Sequence, residues 1–87
     1  MKTFKDLIFK EHPSVPFFMK QARMDFDNGY GISVVNGQSA YCSEGTYEIA
    51  VMKGGQITYD THITNDVIGY LLPEEVTEVM KDIQELR

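Results

Sequence analysis

Apolar and polar positions alternate twice in the chain, each time across a glycine-containing turn. Ala22, Met24 and Phe26 fall on one side of a strand pattern, with Arg23 and Asp25 on the other. After Asp27-Asn28-Gly29, Tyr30, Ile32 and Val34 alternate with Gly31 and Ser33. Strict alternation marks a half-buried strand. A two-residue Asn-Gly turn would set the apolar positions of one strand against the polar positions of the other. A three-residue loop instead pairs Phe26 with Tyr30, Met24 with Ile32 and Ala22 with Val34. Only that register keeps one face apolar, and Gly29 then takes the left-handed position. The same reasoning applies to Tyr47, Ile49 and Val51, which alternate with Glu48 and Ala50, and to Ile57 and Tyr59 beyond Lys53-Gly54-Gly55. Taking 53–55 as the loop pairs Val51 with Ile57 and Ile49 with Tyr59, with Gly55 left-handed.

The period changes near the C-terminus. Val76, Val79, Met80, Ile83 and Leu86 form a helical stripe. Pro73 suits the first helical position, and Glu74 and Glu75 complement the positive end of the helix dipole. The pattern predicts a helix from Pro73 to Leu86, and a short helical turn before it at Asp66–Tyr70, where Thr64, Asn65 and Asp66 are capping types. Residues 1–20 are less periodic. A strand around Leu7–Lys10 is expected, although Thr3 to Asp6 also resembles a capping box. His12-Pro13-Ser14-Val15-Pro16 then holds the backbone extended. The connection from Asn36 to Thr46 is rich in Gly, Ser and Asn.

These elements make one α+β domain over residues 1–87: an antiparallel sheet of four or five strands, built on two hairpins, with the amphipathic helix packed on one face. Its expected core is Met24, Phe26, Ile32, Val34, Ile49, Val51, Ile57, Val79, Met80 and Ile83. A chain of 87 residues buries only about 60–65% of its unfolded surface, so that core is thin.

Composition narrows the function classes. Thirteen acids against eight bases give a net charge of −5, which disfavours direct nucleic-acid binding and adhesion to an anionic membrane. Cys42 is the only cysteine, so no intrachain disulfide forms, and a reducing, cytoplasmic setting is expected. The N-terminal apolar run Leu7-Ile8-Phe9 is stopped by Lys10-Glu11, too soon for a secretory signal. No apolar stretch approaches the roughly 20 residues of a membrane span.

Few residues offer chemistry. Gly29-x-Gly31 lacks the third glycine and the helix of a phosphate-binding loop, and reads as hairpin geometry. Asp60, His62 and Asp66 could supply hard ligands within one loop, but no second histidine lies near, and a solvated turn is the preferred reading. The nearest charge to Cys42 in sequence is Glu44, which opposes thiolate formation. Neither metal nor cofactor is expected, and catalysis is disfavoured.

Charge is unevenly spread. Residues 1–43 carry five bases and four acids, while residues 44–87 carry three bases and nine acids. Glu74, Glu78, Asp82 and Glu85 lie on one side of the expected helix, about 6 Å apart along its axis at spacing four. That spacing resembles phosphates along a nucleic-acid strand, which would suit a decoy for a basic groove; a solvated face is the preferred reading.

Three segments carry a resemblance: Gln21-Ala22-Arg23-Met24-Asp25-Phe26-Asp27-Asn28-Gly29-Tyr30-Gly31-Ile32-Ser33-Val34-Val35, Tyr47-Glu48-Ile49-Ala50-Val51-Met52-Lys53-Gly54-Gly55, and the tail from Asp66-Val67-Ile68-Gly69-Tyr70 to Glu85-Leu86. In overall layout the chain resembles small uncharacterised proteins encoded by bacteriophages and prophages. The resemblance implies a viral accessory protein acting in the bacterial cytoplasm and brings no catalytic residues. The leading expectation is a non-enzymatic module that binds a host protein and could thereby inhibit it. One alternative is a small-molecule binder or minor enzyme with the 36–46 loop as lid, and another is a structural homo-oligomer subunit. Candidate contact residues are Glu74, Glu78, Asp82 and Glu85 on the helix and Tyr41 in the loop. A sheet edge or the loop is preferred over the helix side.

Overall fold

The computed structural model describes every residue of the chain except 15–18, 38, 39, 41 and 65. Among the described residues six strands follow in order: β1 (Lys10–Glu11), β2 (Met19–Asp25), β3 (Tyr30–Gly37), β4 (Tyr47–Lys53), β5 (Gln56–Ile57) and β6 (Ile68–Leu71). One α-helix, α1 (Pro73–Gln84), closes the chain. All pairings are antiparallel, in the order β1-β2-β3-β4, and β5 and β6 both pair with β4. The expected α+β architecture, an antiparallel sheet with the C-terminal helix on one face, is present. Short edge segments raise the strand count from four or five to six.

The first hairpin has the register that face parity demands. Ala22 lies opposite Val34 and Met24 opposite Ile32. The Phe26 N–H donates to the Tyr30 carbonyl at 2.7 Å, and Gly29 has φ +87°. A continuous apolar face results, with Ile49 and Val51 of β4 next in line against Val34 and Ile32. Val76, Met80 and Ile83 of α1 close over that face, and Leu7 and Ala22 complete the buried cluster.

The helix is tied down at both ends. At its start, Glu75 accepts the Leu72 N–H at 3.0 Å, relieving one of the donors a helix N-terminus leaves unpaired. At its end, the Asn28 Nδ2 in the β2–β3 turn donates to the carbonyls of Ile83 (2.9 Å) and Leu86 (3.0 Å). Along its length the N-terminal segment is strapped on. Gln84 exchanges two hydrogen bonds with the Lys2 backbone, and the Phe4 N–H donates to Thr77 Oγ1 at 3.1 Å. Among the described residues no helix is long and apolar enough to cross a membrane.

Five expectations need correction. The strand expected around Leu7–Lys10 is replaced by a 3-10 turn at Phe4–Asp6 and a strand of only Lys10–Glu11. The Asp6 carboxylate accepts the Thr3 N–H at 2.8 Å, which nucleates the turn, and burial draws Leu7 and Phe9 toward the core. The second hairpin turns on two residues, not three. Gly54 and Gly55 both have positive φ (60° and 82°), the geometry of a type I′ turn, so Lys53 pairs with Gln56 and Met52 with Ile57. That one-residue slip sends Ile57 to the face away from the helix, and it is exposed rather than in the core.

The helical turn expected at Asp66–Tyr70 is instead the strand β6, because pairing with β4 (Ile49 with Ile68, Tyr47 with Leu71) satisfies backbone groups along that edge. The helix stops at Gln84, two residues before the expected Leu86, where Asn28 takes over its last carbonyls. Met24, Phe26 and Val79 are half-buried at the core margin, while Leu7, Ala22 and Val76 belong inside it.

The Thr58 N–H still donates to the Val51 carbonyl at 2.9 Å; beyond it, the described residues before β6 lie outside the sheet. Ile63 of this excursion packs against the core, and among the described residues the buried Thr61 hydroxyl has no hydrogen-bond partner.

Candidate functional site

The most distinctive surface lies where β6 runs into α1. Two residues of β6, Gly69 and Tyr70, occupy the space opposite Glu48, because Tyr47 pairs with Leu71 and Ile49 with Ile68. This bulge forces Tyr70 to φ +57°, a conformation that costs a non-glycine residue roughly 1–2 kcal/mol. Tyr70 is nonetheless 61% exposed. Leu72, two residues on, is 44% exposed. Ile57, on β5 further along β4, is 49% exposed, and Tyr59 just beyond that strand is 48% exposed. A bulge at a sheet edge re-aims side chains, and here it presents an aromatic ring to solvent.

The helix continues this surface. Pro73, Glu74, Thr77 and Glu78 form one wall of an open groove of about 360 Å³, and Phe4 and Lys5 form the other. Phe4 is fixed from behind by Tyr47 and Phe9, with ring centroids 5.1 and 5.9 Å away. Glu75 is committed to the Leu72 N–H, while Glu74 and Glu78 are exposed at the groove rim. Asp82 is exposed one turn further along the helix, and Glu85 is exposed at its C-cap. The four carboxylates therefore occupy the helix exterior, away from Val76, Met80 and Ile83. Tyr41 lies outside the described residues.

Other candidates resolve into local structure. Cys42 is half-buried, with its Sγ within 3.4 Å of the Gly37 N–H and 3.5 Å of the Gly37 carbonyl. His12 Nδ1 accepts the Ser14 N–H at 3.1 Å. His62 is exposed. Among the described residues, no group of three or more His, Cys, Asp or Glu side chains is placed to hold a metal ion. Two further open grooves, of about 350 and 340 Å³, flank β2 and the β2–β3 turn; neither His62 nor Cys42 lines them or the groove at Phe4.

Helical spacing brings out the helix carboxylates, but no pattern in the sequence singles out Tyr70 and Leu72. Capping residues before Tyr70 favour a helical turn there, and the β4–β6 bulge that exposes it leaves no local signature. Ile57 and Tyr59 were placed inward by the three-residue loop; the Gly54-Gly55 dipeptide, a type I′ signal, pointed the other way. Comparison of the chain with protein-family models, with curated proteins and with solved structures finds no match.

Proposed function

We propose that this chain is a bacteriophage- or prophage-encoded accessory protein that works by contact, binding a host protein in the bacterial cytoplasm without catalysing a reaction. The observation that carries the reading is Tyr70, exposed at positive φ where β6 runs into α1, with Leu72 exposed two residues on. Isolated exposed apolar residues are ordinary, but an exposed aromatic held in a costly backbone conformation favours a binding surface. Tyrosine is a preferred anchor because a rigid ring buries much area at low entropic cost. Holding Tyr70 at positive φ while leaving it exposed is a stability cost that a binding role accounts for. Glu74 and Glu78 stand at the rim, where charge steers encounter more than it adds affinity.

The test is affinity capture from bacterial lysate with the wild-type chain and a Tyr70→Ser/Leu72→Ser double variant of matched melting temperature. The wild type should retain a discrete host protein that the double variant loses. Equal capture by the two forms, or no capture by the wild type, overturns the reading.

A further inference from the structure

The opposite edge of the sheet carries an independent inference. Hydrogen-bond parity fixes which way the backbone of β2 points. The Phe26 N–H bonds to Tyr30, so the even-numbered residues of β2 turn their N–H and C=O toward β3. The odd-numbered ones face outward. Consistent with this, the Met19 carbonyl accepts the His12 N–H at 3.0 Å, and Gln21 pairs with Lys10. β1 ends there. The chain before it packs Leu7 and Phe9 on the core, while Asp6 and Ile8 line an open groove beside Arg23 and Met24, and Met1 and Lys2 one beside Asp25. Among the described residues, no backbone hydrogen bond reaches the outward groups of Arg23 and Asp25. At Asp27 the chain turns toward β3. The open window is thus residues 22–26, with Met24 at its centre.

We propose that two copies of this chain join through this window, antiparallel about Met24, so that Arg23 of each lies opposite Asp25 of the other. An outward residue must meet an outward residue, which leaves three two-fold registers within the window. Centring on Arg23 sets two arginines face to face, and centring on Asp25 sets two aspartates face to face; both are unfavourable. Centring on Met24 gives two Arg–Asp cross-strand pairs and closes four backbone hydrogen bonds. Only this register satisfies charge and backbone together. Arg23 and Asp25 are both exposed. Arg23 donates to the Gly55 carbonyl at 3.0 Å, across β3 from the window, and its exposed side chain exchanges that bond for the Asp25 carboxylate of the second copy, a stronger charge-assisted acceptor. Met24 lines a groove of about 350 Å³ beside the window together with Ile8, which is 73% exposed and supplies apolar surface for the join. The two sheets become one continuous sheet, an isologous contact that leaves the β5–β6 edge free, so this inference does not depend on the proposed host contact.

The register makes a sharp test by sedimentation equilibrium over a micromolar to millimolar range. The wild type should form dimers. Arg23→Asp alone places acid against acid, and Asp25→Arg alone places base against base, so each should weaken self-association at least tenfold. Mixed one to one, the two variants present only complementary pairs and should dimerise again. Circular dichroism confirms that each variant folds, and Asp25→Arg leaves the Arg23–Gly55 bond intact should Arg23→Asp fail that check. A monomeric wild type, undiminished self-association of Asp25→Arg, or failure of the folded mixture to associate overturns the proposal.

Discussion

Asn28 joins the two halves of the fold through a single side chain, and its removal has a calculable effect. Its Nδ2 donates to the carbonyls of Ile83 and Leu86 at 2.9 and 3.0 Å. Its Oδ1 accepts the Tyr30 N–H at 3.1 Å. A helix leaves its last carbonyls unpaired, and here the β2–β3 turn supplies donors for two carbonyls at the helix end. Asn28→Ala deletes three hydrogen bonds, each worth about 0.5–1.5 kcal/mol net. The site is half-buried, so water recovers part of the loss, and a total near 2 kcal/mol is expected. For a domain of this size that is a fall in melting temperature on the order of 10 °C.

Asn28→Asp separates the polar role from simple bulk. It keeps the acceptor for Tyr30 but brings a carboxylate against two carbonyl oxygens at the negative end of the helix dipole. At neutral pH it should be at least as destabilising as alanine despite its near-identical shape. Urea denaturation followed by circular dichroism measures both, and amide exchange at Glu85 and Leu86 should accelerate first. An alanine variant within about 0.5 kcal/mol of wild type, the ordinary range of a neutral surface change, would refute the reasoning, as would an aspartate variant of undiminished stability.

Other expected outcomes concern the turns, the core and the helix exterior. Gly29→Val and Gly55→Val should each lower stability by more than about 1 kcal/mol, since both positions have positive φ and a side chain there meets no neighbour within 4 Å, leaving backbone strain as the cause; unchanged melting temperatures would contradict this. Ile83→Ala should cost about 2–5 kcal/mol in urea titration, because Ile83 is fully buried between helix and sheet; a loss under about 1 kcal/mol would mean the site repacks freely. Glu78→Lys combined with Asp82→Lys should leave thermal stability similar or slightly raised, because like charges four apart repel weakly. The same variant should retain host-protein capture if Tyr70 and Leu72 are the anchors, and loss of capture by a stably folded form would shift the contact to the helix exterior.

The parts legible in the sequence are those where a single face had to be apolar. In the first hairpin, Met24 and Ile32 could share the core only with a three-residue loop, so register followed from parity. The helix was legible for the same reason, since Val76, Met80 and Ile83 recur at helical spacing. The second hairpin has apolar residues on both faces of β4: Ile49 and Val51 on one, Ala50 and Met52 on the other, all buried. Parity then has no purchase, and the Gly54-Gly55 turn decides. The strand β6 was hidden because its four residues take their conformation from pairing with Tyr47 and Ile49, 24 and 19 positions away in sequence. At the candidate site the carboxylates followed from helical spacing. The exposure of Tyr70 depends on a bulge that local sequence does not encode.

β5 and β6 lie along the same edge of β4 in the same direction, and that has a consequence for how much chain this fold needs. Ile57 stands opposite Met52 and Ile68 opposite Ile49, so only Val51 and Ala50 separate the two attachment points on β4. Two residues would carry β5 straight into β6, where the protein spends residues 58–67. The detour returns the partial burial of Ile63. Because the entropy of closing a loop grows only with the logarithm of its length, the same two endpoints can hold a longer passenger at little further cost. The edge thus offers a splice point at exposed Asp60: a foreign epitope inserted there lengthens the loop while Ile63 keeps its place on the core.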